Sequence, residues 1–503
     1  MSLCLLRTLL PAAMLVAFPA TLAAQVNFGA RLNGASEVPA NASVAIGRSW
    51  FTLDPVTSQI HYRVESNVVG GTVAHIHQGA VGVPGPIIFP LAGGPTIYQG
   101  STPPLTGAQI QTLFGQGFYV NVHTAAFPAG EIRGQMTLEV RRHFFATLDQ
   151  AQETPPSGSA GTATAELVLH QPENIVTYRM SDAGLTGPPL AAHMHQAPPG
   201  VPGPIIFGMN NLGDFWCGSS DPLTPAQVTT LLAGGMYVNI HTAAFPGGEI
   251  RGQITPLKER FVARENGAEE TPPSGSPFTG TMNATFDPAT NMISYSQTWN
   301  GVGGTVSHIH SGVPGIAGPI LFPLAGPPNG PWAGTTAALT PAQVNMLFAG
   351  TLYANIHSGA FPAGEIRAQL LQNSSTYGWP NPTSFGVLAN LVRIGDTGPP
   401  ILGGIWTTRV TDAAPTTFVG LAVGGYLMLD LGFLGCTGGV LWVSPDNAFS
   451  SASDPLGCGE VSIPVPLIPG FAGLPIGSQW ITIDFGANPL GITVSAAQWS
   501  TFQ

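Results

Sequence analysis

The chain has 503 residues and a formal net charge of −11 at pH 7, and only 8% of its residues are charged. This length suits about three to five domains of ordinary size rather than a single core. Because Lys258 is the only lysine, the surface offers no basic stripe to a phosphate backbone or an anionic membrane, which argues against nucleic-acid binding. The 65 glycines and 48 prolines favour short strands joined by turns.

The N-terminus predicts an exported protein. Arg7 precedes an apolar run from Leu9 to Phe18, and a small-residue stretch ends at Ala24. This order is typical of a signal peptide over residues 1–24, and the run is too short for a transmembrane anchor. We therefore expect the mature chain to be secreted or to reside in the cell envelope, without a membrane span.

From residue 25 to residue 372 the same landmarks occur three times, which defines repeats at 25–140, 141–257 and 258–372. Each repeat opens with a Glu-x-Pro turn, at Glu37, Glu153 and Glu270. A His-x-His strand, a Gly-Pro turn and a short helix follow. For that helix Thr224 suits the N-cap and Pro225 the first turn. Each repeat closes with Tyr-x-Asn-x-His, a Pro-x-Gly turn and Glu-Ile-Arg-x-Gln, which alternate as a hairpin does.

These elements predict an all-β protein of three tandem Greek-key-like β-sandwich domains, each with one short helix. Residues 373–384 are predicted to be a linker, and residues 385–503 a C-terminal β-domain without the repeat. In that domain Cys436 and Cys458 are close enough in sequence to form a disulfide in an oxidising compartment, whereas Cys217 has no obvious partner.

The feature that most suggests chemistry is a repeated histidine trio, which accounts for nine of the twelve histidines. Because side chains alternate along a strand, the two histidines of each pair share a face. If the strand that carries the third histidine is a neighbour, three imidazoles converge, and three neutral nitrogens with an open position can hold zinc or copper. We therefore predict three metal sites: His75, His77 and His123; His193, His195 and His241; His308, His310 and His357.

Two questions stay open at this level. Histidines on a strand can simply be polar residues on a solvated sheet face, and duplication copies such accidents as well as sites. Glu131, Arg133 and Gln135, with their counterparts in the other repeats, also alternate onto one face. Glu131 or Asn121 could orient an imidazole, or Glu131 and Arg133 could form a buried ion pair. The Glu-x-Pro glutamates are interpreted as turn residues.

The combined order of Glu-x-Pro, His-Ile-His, Gly-Pro-Ile, Leu-Thr-x-x-Gln, Tyr-x-Asn-Ile-His and Pro-x-Gly-Glu-Ile-Arg-Gly-Gln resembles the CHRD domain, the repeat named after chordin. Three copies cover about 350 residues. In the third copy, Ala368 stands where the others have Gly134 and Gly252. The cysteine-rich modules with which chordin-like proteins bind growth factors are missing here, so the resemblance implies an extracellular binding module of unassigned ligand.

The histidine pattern is also similar to that of copper/zinc superoxide dismutase. By that similarity His75, His77 and His123 match three copper ligands, as do the trios of the other repeats. The bridging histidine and the zinc loop of that family have no counterpart in this sequence.

The function that this sequence favours is a non-enzymatic, secreted interaction module that binds an extracellular protein or surface ligand, with a copper or zinc site in each repeat. Two alternatives remain: a copper-dependent redox protein, and a metal storage or buffering protein. For any bound metal we expect the affinity to fall at a pH below the ordinary histidine pKa near 6.5.

Overall fold

The structure is a computed structural model that describes residues 26–372, except for 55–56, 212–214, 302 and 328–329. Beyond residue 372 it describes only the backbone of strands between residues 375 and 501. The predicted signal peptide and the predicted Cys436–Cys458 disulfide lie outside the described residues.

The first repeat contains nine strands and one helix. The strands are β1 (Val26–Asn33), β2 (Ile46–Leu53), β3 (Ile60–Ser66), β4 (Gly71–Gln78), β5 (Ile87–Leu91), β6 (Ile97–Ser101), β7 (Phe118–Thr124), β8 (Ile132–Gln135) and β9 (Thr137–Leu138). A 3₁₀ turn spans Gly34–Ser36, and helix α1 spans Gly107–Phe114. Thr106 caps α1 through a capping box with Gln109, which satisfies amide groups that the first turn leaves without partners.

All nine strands belong to one antiparallel sheet in the order β5-β4-β7-β8-β1-β2-β3-β6, with β9 paired to β1. The two edges of the sheet approach each other, since Gly93 after β5 bridges Tyr98 in β6. The sheet is thus a near-closed sandwich that encloses one apolar core. Alternation along β4 and β7 places Ile76, Val120 and Val122 in this core, and their histidine neighbours therefore point outward.

The second and third repeats have the same order of strands and the same sheet. The second contains β10 (Val140–Asp149), β11 (Thr162–Gln171), β12 (Ile175–Ala183), β13 (Pro189–Gln196), β14 (Ile205–Met209), β15 (Trp216–Ser219), α2 (Pro225–Leu232), β16 (Met236–Thr242), β17 (Ile250–Gln253) and β18 (Thr255–Pro256). The third contains β19 (Glu259–Asn266), β20 (Thr279–Asp287), β21 (Met292–Trp299), β22 (Gly304–Ser311), β23 (Ile320–Leu324), β24 (Trp332–Thr335), α3 (Pro341–Phe348), β25 (Leu352–Ser358), β26 (Ile366–Gln369) and β27 (Leu371–Gln372). Further 3₁₀ turns span Gln150–Gln152 and Gly267–Glu269. The sequence prediction of three β-sandwiches with one helix each is confirmed.

The described strands of the C-terminal region are β28 (Ser375–Tyr377), β29 (Arg393–Asp396), β30 (Ile405–Thr411), β31 (Phe418–Gly424), β32 (Tyr426–Asp430), β33 (Val440–Val443), β34 (Asn447–Ala452), β35 (Gly459–Pro464), β36 (Pro475–Ile483), β37 (Ile492–Val494) and β38 (Ala497–Thr501). They form sheets of six, three and two strands. Strand β28 falls inside the predicted linker and pairs with β38, so backbone pairing draws part of that segment into the last domain.

The three repeats contact one another through the segments that connect them. Leu138 packs against the cores of both the first and the third repeat. The buried carboxylate of Glu259 accepts hydrogen bonds from the backbone amide of His143 at 2.7 Å and from Gln372 Nε2 at 2.9 Å. Each repeat nevertheless has its own hydrophobic core.

Cys217, which the sequence left without a partner, is disulfide-bonded in β15. Its partner lies outside the described residues. Because a cysteine forms one disulfide, a bond from Cys217 to Cys436 or Cys458 excludes the predicted Cys436–Cys458 bond. We expect mass mapping of the unreduced, exported protein to recover Cys217 in a cross-linked peptide pair. Recovery of Cys217 as a free thiol, with Cys436 linked to Cys458, would restore the sequence-based assignment.

Candidate metal centre

Each histidine trio lies on the outer face of two neighbouring strands. In the first repeat His75 and His77 are on β4 and His123 is on β7, and the strands pair so that His75 is opposite Asn121 and His77 is opposite Tyr119. His123 is opposite Val73 and therefore diagonal to His75. This register brings the third imidazole toward the pair, as diagonal neighbours in an antiparallel sheet are within reach of long side chains.

The structure brings the three rings of every trio together. One ring nitrogen of each histidine lies within 4.8 Å of the others in all three trios. The ring centroids of His75 and His123 are 4.9 Å apart, those of His75 and His77 5.7 Å, and those of His77 and His123 6.2 Å. The longest centroid separations in the other two trios are 6.5 Å and 6.3 Å. The same geometry thus recurs in three sequences that differ elsewhere.

Backbone carbonyls set the tautomer of two rings in each trio. His77 Nδ1 donates to the Gly85 carbonyl at 2.9 Å, and His123 Nδ1 donates to the Pro128 carbonyl at 3.0 Å. A neutral ring with a proton on Nδ1 carries its lone pair on Nε2. The Nε2 atoms of His77, His195 and His310 are buried and make no hydrogen bond of ordinary geometry, although Asn121 and Asn355 face His77 and His310 closely enough to act on their pKa. These nitrogens are therefore free to bind a cation.

The third histidine has a further peculiarity. His123 Nε2 lies 3.1 Å from His75 Nδ1 and 2.9 Å from Asn121 Oδ1. Both nitrogens of His123 thus face oxygen acceptors, which a neutral imidazole cannot satisfy with its single proton. The same pattern recurs at His241 with Asn239 (3.0 Å) and at His357 with Asn355 (3.1 Å). A cation next to Nε2 would resolve the conflict.

The environment of eight of the nine rings favours their neutral form. Burial, together with the neighbouring His123 and His77, lowers the pKa of His75 to about 4. Burial, together with the neighbouring His357 and His310, likewise lowers the pKa of His308 to about 4. Burial also lowers the pKa of His77, His123, His193, His241, His310 and His357. A metal ion competes with protons for these nitrogens, so neutral rings near pH 7 favour metal binding.

A stack of three side chains supports each His-x-His strand. The ring of Tyr119 lies parallel to that of His77 at 4.8 Å, and the guanidinium of Arg133 lies 3.4 Å from the centre of the Tyr119 ring. Arg133 also donates to the carbonyls of Ala80 and Val83, both at 3.0 Å. Equivalent stacks are formed by His195, Tyr237 and Arg251 and by His310, Tyr353 and Arg367.

The loop that follows the strand is closed tightly against this stack. Gly85, of the Gly-Pro-Ile motif, donates its amide to the Tyr119 hydroxyl at 3.1 Å. A Cβ at Gly85 would meet the Gln78 carbonyl oxygen at 1.6 Å, so this position requires glycine. The second histidine is thereby held between a carbonyl and an aromatic ring, which restricts its orientation.

Glu131, which the sequence suggested as a residue that could orient an imidazole, does not contact the histidines. Its carboxylate accepts hydrogen bonds from Ser43 at 2.8 Å and Thr124 at 2.7 Å. The suggested Glu131–Arg133 ion pair is not formed, because Arg133 turns to Tyr119 and the loop carbonyls. Gln135 instead donates to the carbonyls of Gly79 and Gln116. Asn121, the other residue proposed to orient an imidazole, does contact His123.

The Glu-x-Pro glutamates, interpreted from sequence as turn residues, lie behind the trios. Burial raises the pKa of Glu37 to about 7, while Arg133, the Val38 amide and the Asn121 side chain act in the opposite direction. Burial likewise raises the pKa of Glu153 and Glu270, each beside the matching arginine and asparagine. The sequence signal was present, since one glutamate precedes every trio at the same position of the repeat.

A near-closed antiparallel sandwich with three outward-facing histidines, repeated three times, defines a class of tandem β-domain with a candidate metal centre in each copy. Residues 28–136, 144–254 and 261–370 match the CHRD domain. These matches span most of the chain, which therefore belongs to the CHRD domain family. The resemblance seen in the sequence is confirmed.

Similar solved structures have little in common with this chain in sequence. One is described as a tetra-tandem repeat in the extending region of a large adhesion protein, with 8% identity over 89% of this chain and 96% of the other and a TM-score of 0.15. Another is trypsin-activated alpha-2-macroglobulin from Escherichia coli, with 9% identity over 89% of this chain and 30% of the other and a TM-score of 0.16. None of the helices in the described residues has the length and apolar character needed to cross a bilayer.

Proposed function

We propose that this protein is a secreted CHRD-repeat binding module that holds a copper or zinc ion at each of its three histidine trios. The observation that carries the proposal is the convergence of three imidazoles in every repeat, each with a ring nitrogen within 4.8 Å of the other two. Such a set matches the nitrogen ligands and the ligand number that open zinc and copper sites use.

A second observation also supports a metal ion at these residues. The buried Nε2 atoms of His77, His195 and His310 make no hydrogen bond of ordinary geometry, and a buried nitrogen without one costs free energy unless something binds it. First-repeat ligands would be His75 Nδ1, His77 Nε2 and His123 Nε2. The remaining six histidines would hold the metal in the other repeats in the same way.

Export is the second part of the proposal. Its support is the apolar run between Arg7 and Ala24 in the sequence and the occurrence of CHRD domains in extracellular proteins. The metal would then be bound outside the cytoplasm, and the partner would be an extracellular protein or surface ligand.

A copper-dependent redox role is the second candidate. It is favoured by the ligand number, since each group of potential ligands in the described part of the chain contains three histidines and no fourth histidine, cysteine or carboxylate. An open position is what a substrate would need, and bound copper would supply one-electron chemistry there. A metal storage or buffering protein would use the same three sites. Ready release of the bound ions would distinguish storage from a redox role.

Calorimetric titration of the mature chain with zinc and, separately, with copper tests the proposal. We expect three ions per chain, because the trios share one geometry. Titration heats that do not differ from those of buffer for both metals would refute it.

The pH dependence of binding follows from the histidine environments. Metal binds the neutral ring, so protons displace it only when the pH approaches the pKa of the ligands. Because that pKa is lowered from 6.5 to about 4 for His75 and His308, we expect metal to be retained at pH 6 and lost between pH 6 and pH 4. Dialysis against a pH series, followed by metal analysis, checks this. Half-loss at pH 6.5 or above would contradict it.

A further inference from the structure

Each trio has a buried glutamate that no part of the proposed metal binding has yet used. Glu37, Glu153 and Glu270 are 8%, 8% and 7% exposed. In each of them Oε1 is buried without a hydrogen bond of ordinary geometry, although the matching asparagine faces the carboxyl closely enough to lower its pKa. The same buried carboxyl oxygen makes no ordinary hydrogen bond in all three repeats, which indicates a shared role.

The glycine of the Pro-x-Gly turn makes room for this carboxyl. Gly130 has a φ of +135°, and a Cβ there would lie 2.4 Å from Glu37 Oε1 and 2.8 Å from Asn121 Nδ2. The carboxyl and the amide nitrogen therefore lie against the same point of the backbone. Gly248 and Gly364 approach Glu153 and Glu270 in the same way, at 2.3 Å and 2.4 Å.

The asparagine connects this glutamate to a ligand nitrogen. Its Nδ2 is on the side of Glu37, and its Oδ1 lies 2.9 Å from His123 Nε2. At a pH above its raised pKa of about 7, Glu37 is a carboxylate, which accepts hydrogen bonds and donates none, so it favours the orientation in which Nδ2 points to Glu37. The oxygen that then faces His123 cannot donate a hydrogen bond, and the Nε2 lone pair stays available.

We propose that Glu37, Glu153 and Glu270 are positioning residues of the three metal sites, each of which fixes the orientation of an asparagine and so keeps the lone pair of the third histidine free. This inference rests on the proposed function, because a free lone pair on the third histidine matters only if that histidine binds a metal. The orientation itself is a property of the metal-free protein and can be measured there.

The Glu37→Gln variant tests the proposal directly. A glutamine can donate to Asn121 Oδ1, so the amide is expected to turn and Nδ2 to donate to His123 Nε2. The host is the full mature chain carrying His193→Ala and His308→Ala, which leaves the first site for zinc. We expect zinc to bind about tenfold more weakly to the Glu37→Gln variant, as is usual when a partner of a ligand is changed.

Glu131→Gln is the matched control, because it removes the same charge from a neighbouring carboxylate that bonds to Ser43 and Thr124 instead. Its zinc affinity is expected to equal that of the host. In an Asn121→Ala background the effect of Glu37→Gln should vanish, since the two residues act in series. An equal loss in both backgrounds would overturn the proposal.

Nitrogen-15 NMR of the metal-free protein gives a second readout. His123 Nε2 should resonate as an unprotonated nitrogen whose one close N–H neighbour is His75 Nδ1, and in Glu37→Gln it should shift as expected for a nitrogen that also accepts from Asn121 Nδ2. If Glu37→Gln does not fold, Glu153→Gln is read at His241 in the same way. Unchanged shifts would overturn the inference, whereas a shift in a chain that binds no zinc would uphold the relay and refute only the metal site.

Discussion

Replacing His123 by alanine is expected to reduce the metal bound per chain from three ions to two. His123 supplies one of the three nitrogens in its trio and is the ring nearest to His75. Two imidazoles on an open sheet face provide too few ligands to hold zinc or copper firmly. His77→Ala should have the same effect on the first site. Metal analysis after dialysis, with circular dichroism to verify folding, measures the loss.

The control for this result is a histidine outside the trios. His61 bonds to Ser101 at 2.7 Å on the third strand of the first repeat, and His61→Gln should retain all three ions. Retention of three ions by the His123→Ala variant would show that the trio is a polar cluster on a solvated face. A loss of all three ions would indicate a single shared site instead of one in each repeat.

Replacing Arg133 by alanine is expected to destabilise the first repeat by about 2 to 4 kcal/mol, because truncating a buried side chain leaves a cavity and removes a cation–π contact. Arg133 is 2% exposed, it is the charged group beside Glu37, and it covers the Tyr119 ring that supports His77. The substitution leaves Glu37 without a nearby cation and frees two loop carbonyls.

Native-state hydrogen exchange measures this locally, because opening free energies differ between parts of a protein. Amides of β7 and β8 should lose protection, while β16 and β25 of the other repeats serve as internal controls. In the Arg251→Ala variant, the loss of amide protection should occur in the second repeat instead. Unchanged protection in β7 would mean that the stack contributes little to stability.

Alternation along the strands was enough to predict much of the fold. The pattern in Tyr119-Val120-Asn121-Val122-His123 predicts which side chains face the apolar core, and the capping residues Thr106 and Thr224 mark where helices begin. Closure of the sheet could not be predicted this way. It depends on contacts such as Gly93 with Tyr98, and on the pairing of Asn33 with Arg133 across a hundred residues; neither leaves a periodic signal.

The candidate site was also predictable only in part. The His-x-His strand places two ligands on one face by geometry alone, and the Asn-x-His strand adds the third when its neighbour is known. The role of Glu37 could not be derived, because an isolated Glu-x-Pro is typical of a turn and only the folded repeat places it behind Asn121. An ion pair between Glu131 and Arg133 was one of two alternatives, because their side chains alternate onto one face, but Arg133 packs on the Tyr119 ring of the adjacent strand instead.

Native mass spectrometry of the mature chain, incubated with zinc or copper and freed of excess ion, tests the central claim most directly. It resolves chains with zero, one, two and three ions, so it reports both binding and its multiplicity. The account predicts a dominant species with three ions, because each repeat brings three histidine nitrogens within 4.8 Å. A spectrum dominated by the metal-free mass under these conditions would contradict it.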